Sequence, residues 1–211
     1  MTQGVRWGVR GVAGCAALLL LARCGGETPS GAAGNTRCQE SSALEPRQVY
    51  VAPTDDAYVE EGQEQPLFGA ERKLVADNLS RRSAFLRFEV PALPGPVRQA
   101  TLRLYALDGS TDGPKLYPAT TDWSEARLTW SQRPSVTGGP LGDAGEVPHG
   151  SWVEYDVTSF VTGSGPSGFA LINESRNGVD FASREHVRLK WAPRLVLSVD
   201  APASEDCAAT P

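Results

Sequence analysis

The chain has 211 residues, with 25 Asp+Glu against 20 Lys+Arg, a formal net charge of −5 and 40% hydrophobic residues. That balance excludes a surface built to neutralise phosphates, so nucleic acid is not expected as a partner. The apolar content suffices for a self-contained core once the N-terminal segment is set aside.

Residues 1–23 read as an export signal. Arg6 and Arg10 form a positive n-region and Val12 to Ala22 an apolar run of 11 residues, too short to span a bilayer. Leu21-Ala22-Arg23-Cys24 has the outline of a bacterial lipobox, with Cys24 as the lipidation site and Arg23 as a departure from the small residue usual there. Residues 24–46, rich in Gly, Ser, Thr and Pro up to Thr36, read as a flexible tether. Losing Arg6, Arg10 and Arg23 lowers Lys+Arg to 17 and the net charge to about −8. The expected location is extracellular or on the cell surface, with membrane contact only through a lipid anchor on Cys24. Cys38 and Cys207 flank the expected domain, and an oxidising compartment makes a disulfide between them the natural pairing. Closing so long a loop stabilises by roughly 4–5 kcal/mol in the chain-entropy model.

Residues 47–200 read as one all-β domain, a single sandwich of short antiparallel strands with Pro/Gly-rich turns, and 201–211 as a disordered tail. Val49–Val51, Ala57–Glu60 and Lys73–Ala76 are the first strand-like runs. In the next, Ala84, Leu86, Phe88 and Val90 alternate with Phe85, Arg87 and Glu89, and Leu102, Leu104 and Ala106 alternate with Arg103 and Tyr105. Period two marks strands with one buried face. Pro91, Pro94 and Pro96 punctuate the link between these two strands, which are expected to be neighbours. Lys115–Pro118, Trp152–Tyr155, Phe169–Asn173, Val179–Ala182 and Leu195–Val199 complete the set, with a long loop over Gly138–Pro148 and one helical turn at Val157–Thr162 capped by Thr158.

Asp56-Ala57-Tyr58-Val59, Phe68-Gly69, Ala84 to Phe88, Ala100 to Tyr105, Trp123-Ser124-Glu125 with Leu128-Thr129-Trp130, Tyr155 to Thr158, and Phe181 to Glu185 with Ala192 to Leu195 follow in order. This series resembles the DNRLRE-domain proteins, which overlap carbohydrate-binding module family 96, over nearly all of residues 48–200. The resemblance implies a jelly-roll-like β-sandwich attached to secreted polysaccharide-degrading enzymes or carried on surface proteins, some members of which bind alginate. With no catalytic motif in these residues, the module is expected to act alone or through a partner, which would include an envelope protein.

Seven basic residues against two acids over 72–103, and five against two over 176–194, stand out in an acidic chain. On a shared face they could hold an anionic glycan through bidentate guanidinium–carboxylate contacts. Arg87, Arg103 and Tyr105, on outward strand positions, are the first candidates, with Arg72 and Lys73 beside them. A solvated outer surface is the competing reading of the same charges. Trp123-Ser124-Glu125 with Trp130 is read chiefly as a clasp for a long loop, with the indole N–H and the Glu125 carboxylate satisfying backbone groups. Ser183-Arg184-Glu185 is read as a partly buried ion pair. No cofactor is required. A structural calcium would take Asp56 and Asp200 as ligands if the chain ends meet, the alternative being turn carboxylates without an ion.

Enzymatic activity is not expected. Gly163-Ser164-Gly165-Pro166-Ser167-Gly168 matches a dinucleotide-binding string only in its letters, because a strand follows where a helix should open. Neither His149 nor His186 has a nucleophile placed beside it in the sequence. The function these residues point to is non-catalytic binding of an extracellular polysaccharide, acidic in the alginate manner, the alternative being a structural or protein-docking role in the envelope.

Overall fold

The computed structural model describes residues 44–65 and 68–202. Cys24, Cys38 and Cys207, and with them the lipidation site and the disulfide, lie outside the described residues. Among the described residues, eleven antiparallel strands run in chain order: β1 (Leu44–Val51), β2 (Pro53–Glu60), β3 (Lys73–Ala76), β4 (Arg82–Val90), β5 (Val97–Tyr105), β6 (Lys115–Ala119), β7 (Gly142–Asp143), β8 (Trp152–Asp156), β9 (Gly165–Ile172), β10 (Val179–Ala182) and β11 (Arg194–Pro202). A four-stranded sheet has the order β1-β11-β5-β8, a five-stranded sheet the order β2-β4-β9-β6-β7, and β3 pairs with β10. No helix among the described residues is long and apolar enough to cross a membrane.

The chain passes from one sheet to the other at Ala52, since β1 pairs with β11 and β2 with β4. Pro53 opens β2 at a sheet edge, where a missing N–H costs no ladder bond. Pro118 sits inside β6, but its carbonyl turns away from β9 to accept the Thr137 N–H. Its nitrogen therefore faces the loop too, and the pairing with β9 stays intact.

Strand alternation sets the core. Leu86 and Phe88 of β4, Phe169 and Leu171 of β9, Leu102 and Leu104 of β5, and Leu195 and Leu197 of β11 are all fully buried, each worth roughly 1.5–3 kcal/mol of transfer free energy. Phe169 takes Phe88 and Phe160 edge-on at 5.8 and 5.5 Å. A second apolar cluster forms on the opposite side of the five-stranded sheet, where Ala57, Val59, Phe85 and Ala170 meet Leu128, Trp123 and Trp130 of the loop after β6. That loop contains the 3-10 turn η1 (Glu125–Arg127) and roofs the sheet's outer face.

Four local expectations change. Strands β4 and β5 are not neighbours: the Pro-bracketed link carries the chain across the sandwich into the other sheet. Strand β9 starts at Gly165, so the last four of the six residues in the Gly-rich string are strand. Gly142–Asp143, inside the expected long loop, adds a short edge strand against β6. After β8 the chain makes one turn, with the Val161 N–H donating to the Val157 carbonyl, but Asp156 caps it through the Thr158 N–H. The Thr158 hydroxyl instead receives the Ala100 N–H and so ties the turn to β5.

Candidate functional site

The roof over the five-stranded sheet explains two of the motifs singled out above. Trp123 meets Phe85 edge-on at 6.4 Å. Glu125 and β2 are joined reciprocally: Glu125 Oε2 accepts the Asp56 N–H at 3.2 Å, and Asp55 Oδ1 accepts the Glu125 N–H at 3.2 Å. The clasp expected of this motif is formed. Its one departure is the Trp123 indole N–H, which is buried without a partner among the described residues.

Arg87 belongs to the same roof. Its guanidinium lies 2.6 Å from the Asp55 carboxylate and donates to the carbonyls of Thr121 and Trp123. Arg87 and Arg103 therefore stand on different sheets, and the shared face expected for them does not form. Lys73 pairs with Asp180 at 2.7 Å across the β3–β10 ladder, and Arg72 is exposed just before β3. Neither belongs to the four-stranded sheet that carries Arg103 and Tyr105.

Among the described residues, nothing covers the outer face of the four-stranded sheet. Strand registers arrange its side chains in rows: Gln48, Ser198 and Gln99; then Tyr50, Val196, Thr101 and Asp156; then Arg194, Arg103 and Glu154; then Tyr105 and Trp152. Four strands at roughly 4.8 Å spacing make this face roughly 14 Å across. A concavity of about 320 Å³ is lined by Gln48, Tyr50, Gln99, Thr101, Arg103, Glu154, Val196 and Ser198. Amides, hydroxyls, a guanidinium and a carboxylate thus converge there beside Tyr50, which is 59% exposed.

An aromatic group borders the concavity. Tyr105 stacks on Trp191 with centroids 4.3 Å apart and planes within 10°, and meets Trp152 edge-on at 5.4 Å. His186 extends the group, 5.2 Å from Trp191. Three guanidiniums lie over the indoles: Arg103 and Arg194 over Trp152 at 4.8 and 5.0 Å, and Arg188 over Trp191 at 4.3 Å. Such placement restrains each guanidinium without neutralising it. Arg103 also lies 2.7 Å from Glu154, off the direction of a hydrogen bond, so that contact is electrostatic. Arg194 donates to the Lys190 carbonyl, which leaves its charge uncompensated by that bond.

The two basic segments meet along the β3–β10 ladder and again on the outer face of the four-stranded sheet, where Arg103 of β5 stands opposite Arg194 of β11. Trp152 and Trp191 were not singled out by sequence, although Trp191 lies inside the second basic segment. That coincidence of Arg188, Lys190, Trp191 and Arg194 was the available signal.

The carboxylates divide differently from the expected metal pair. Asp200, at the end of β11, ion-pairs with Arg98. Asp56, only 1% exposed, is joined instead by Glu125 and by Glu185 of the β10–β11 connection, the three offering oxygens within 4.8 Å of one another. Arg184 adds the expected ion pair, 2.7 Å from Glu185, and binds Glu125 at 2.5 Å.

The model of carbohydrate-binding module family 96 matches residues 47–199, and the chain belongs to that family. No curated protein matches the chain.

Proposed function

We propose that this family member is a non-catalytic, exported surface module that binds an acidic polysaccharide along the outer face of its four-stranded sheet. The observation that carries the reading is the asymmetry of the sandwich. One outer face is roofed by the Trp123–Trp130 loop, while the other is left uncovered by the described residues and combines a polar concavity with the Tyr105–Trp152–Trp191 group. Aromatic side chains of this kind offer apolar surface to the C–H face of a sugar ring. Gln48, Gln99, Thr101 and Ser198 supply donors and acceptors suited to ring hydroxyls. Arg194, Arg188 and Arg103 supply the charge that a uronate carboxylate would pair with, in fork geometry that suits a carboxylate.

Binding of the full chain to alginate, pectate, xylan and a neutral glucan at low and physiological salt tests this. Retention on the uronate polymers that weakens with salt and falls at least tenfold, about 1.4 kcal/mol, in Trp152→Ala or Arg194→Ala is the expected result. Equal retention on neutral glucan would remove the acidic specificity and keep the face. Absence of retention on every polymer would favour docking to an envelope protein, for which the exposed Val187 (65%) and Leu189 (75%) beside the aromatic group are the natural contacts.

A further inference from the structure

Asp56 is buried among groups that leave it incompletely satisfied. Its Oδ2 accepts the Arg184 backbone N–H at 2.9 Å, but its Oδ1 has no hydrogen-bond partner among the described residues. Glu185 Oε2, on the same cluster, is likewise buried and unpartnered. Burial of such oxygens without a donor is costly, and native structures fill the deficit with a proton, a water or an ion. Charge points the same way. Among the described residues, Asp56, Glu125 and Glu185 face one guanidinium, that of Arg184, while the neighbouring Asp55 is already paired with Arg87. The cluster thus holds two negative charges more than it neutralises.

We propose that Asp56, Glu125 and Glu185 form a divalent-cation site, with calcium the favoured metal. The donor set is all oxygen, with neither imidazole nor thiolate in the cluster among the described residues, which selects calcium or magnesium over the later transition metals. Two of the three carboxylates also serve other hydrogen bonds, so the geometry is irregular; calcium accepts irregular shells and varied ligand numbers, whereas magnesium requires a near-ideal octahedron. The ligands come from β2, from the roof loop and from the root of the β10–β11 connection. A bound ion would fasten these three segments together. Residues 186–191 of that connection carry His186, Arg188 and Trp191, so the ion would also hold one side of the aromatic group in place; this last link rests on the glycan-binding reading, and the cation site does not.

The competing occupant is a proton. Burial above all pushes the Asp56 carboxyl up to about 8, with the nearby Glu185 charge adding to the shift and the Arg184 N–H opposing it. Without a cation, Asp56 would be protonated at neutral pH and would share its proton with Glu185.

The test uses the full chain freed of metal by chelation, with calcium chloride or magnesium chloride added, followed by calorimetric titration and thermal unfolding. The expected result is one calcium per chain, an unfolding midpoint raised by several degrees, a weaker response to magnesium, and loss of the response in Asp56→Asn and Glu185→Gln. If one variant fails to fold, the other reports alone. No heat and no change of midpoint in the unsubstituted chain would overturn the site. A midpoint that ignores calcium and falls as the pH rises through about 8 would assign the place to the shared proton instead. Alginate retention measured on the same samples keeps the two readings separate. A calcium response without alginate retention upholds the cation site and removes the glycan reading; alginate retention without a calcium response does the reverse.

Discussion

Arg87 and Asp55 face each other across the β2–β4 ladder, with the guanidinium 2.6 Å from a carboxylate that is almost fully buried. The same guanidinium reaches the carbonyls of Thr121 and Trp123, so one side chain joins a strand pair to the roof above it. Arg87→Ala would leave the Asp55 charge without its ion-pair partner and two roof carbonyls without donors. The pair is partly open to solvent on the arginine side, so the expected cost is about 2–3 kcal/mol rather than that of a fully buried pair. Urea unfolding checks this, with glycan retention of the folded variant expected to be unchanged. A variant of native stability that no longer binds would place Arg87 at the ligand after all.

Trp191 separates platform from core. It lies half-buried in the β10–β11 connection, stacked on Tyr105 and covered by Arg188 on a loop that already exposes Val187 and Leu189. Trp191→Ala should therefore weaken polysaccharide retention at least tenfold while lowering stability by no more than about 1.5 kcal/mol, the scale of one aromatic pair. Paired measurements of retention and of the urea midpoint decide the matter; a large stability loss with retained affinity would make the residue structural.

The strands were legible because alternation is a local property. Ala84 to Val90 and Leu102 to Ala106 declare which side chains point inward, and they do so in the structure. Which sheet a strand joins is not local. The link between β4 and β5 looks like any short turn, yet it crosses the sandwich, and with that crossing Arg87 and Arg103 part company. The roof motif was readable because Trp123, Glu125 and Trp130 lie close together in sequence. The partners of Asp56 were not, since Glu125 and Glu185 arrive from 69 and 129 residues away, through a loop and a strand connection whose paths alternation does not determine.

Glu154 competes with any anionic ligand for Arg103. Its carboxylate lies 2.7 Å from the guanidinium and lines the concavity, where it would also repel a uronate. Glu154→Gln removes both effects without changing the shape of the face. The expected outcome is a three- to tenfold gain in affinity for alginate, about 0.7–1.4 kcal/mol, with a steeper salt dependence and no gain for neutral glucan. Unchanged affinity for alginate would mean that the ligand does not reach the third row of the face.

Leu44 and Pro202 stand opposite each other at the described ends of β1 and β11. Cys38 precedes Leu44 by six residues and Cys207 follows Pro202 by five, so similar lengths of chain separate each cysteine from one paired point. A disulfide between them would close a loop of nearly the whole domain, worth roughly 4–5 kcal/mol through the unfolded state in the chain-entropy model. Its contribution would also bear on β1, an edge strand whose residues before Val49 are exposed and which holds Gln48 and Tyr50 on the open face. Peptide mapping without reductant should recover a Cys38–Cys207 crosslink, and reduction should lower the unfolding midpoint and weaken glycan retention together. Free thiols at both positions in oxidised protein would leave β1 held by its eight-residue ladder with β11, and a Tyr50→Ala variant would then measure how much that edge contributes to binding.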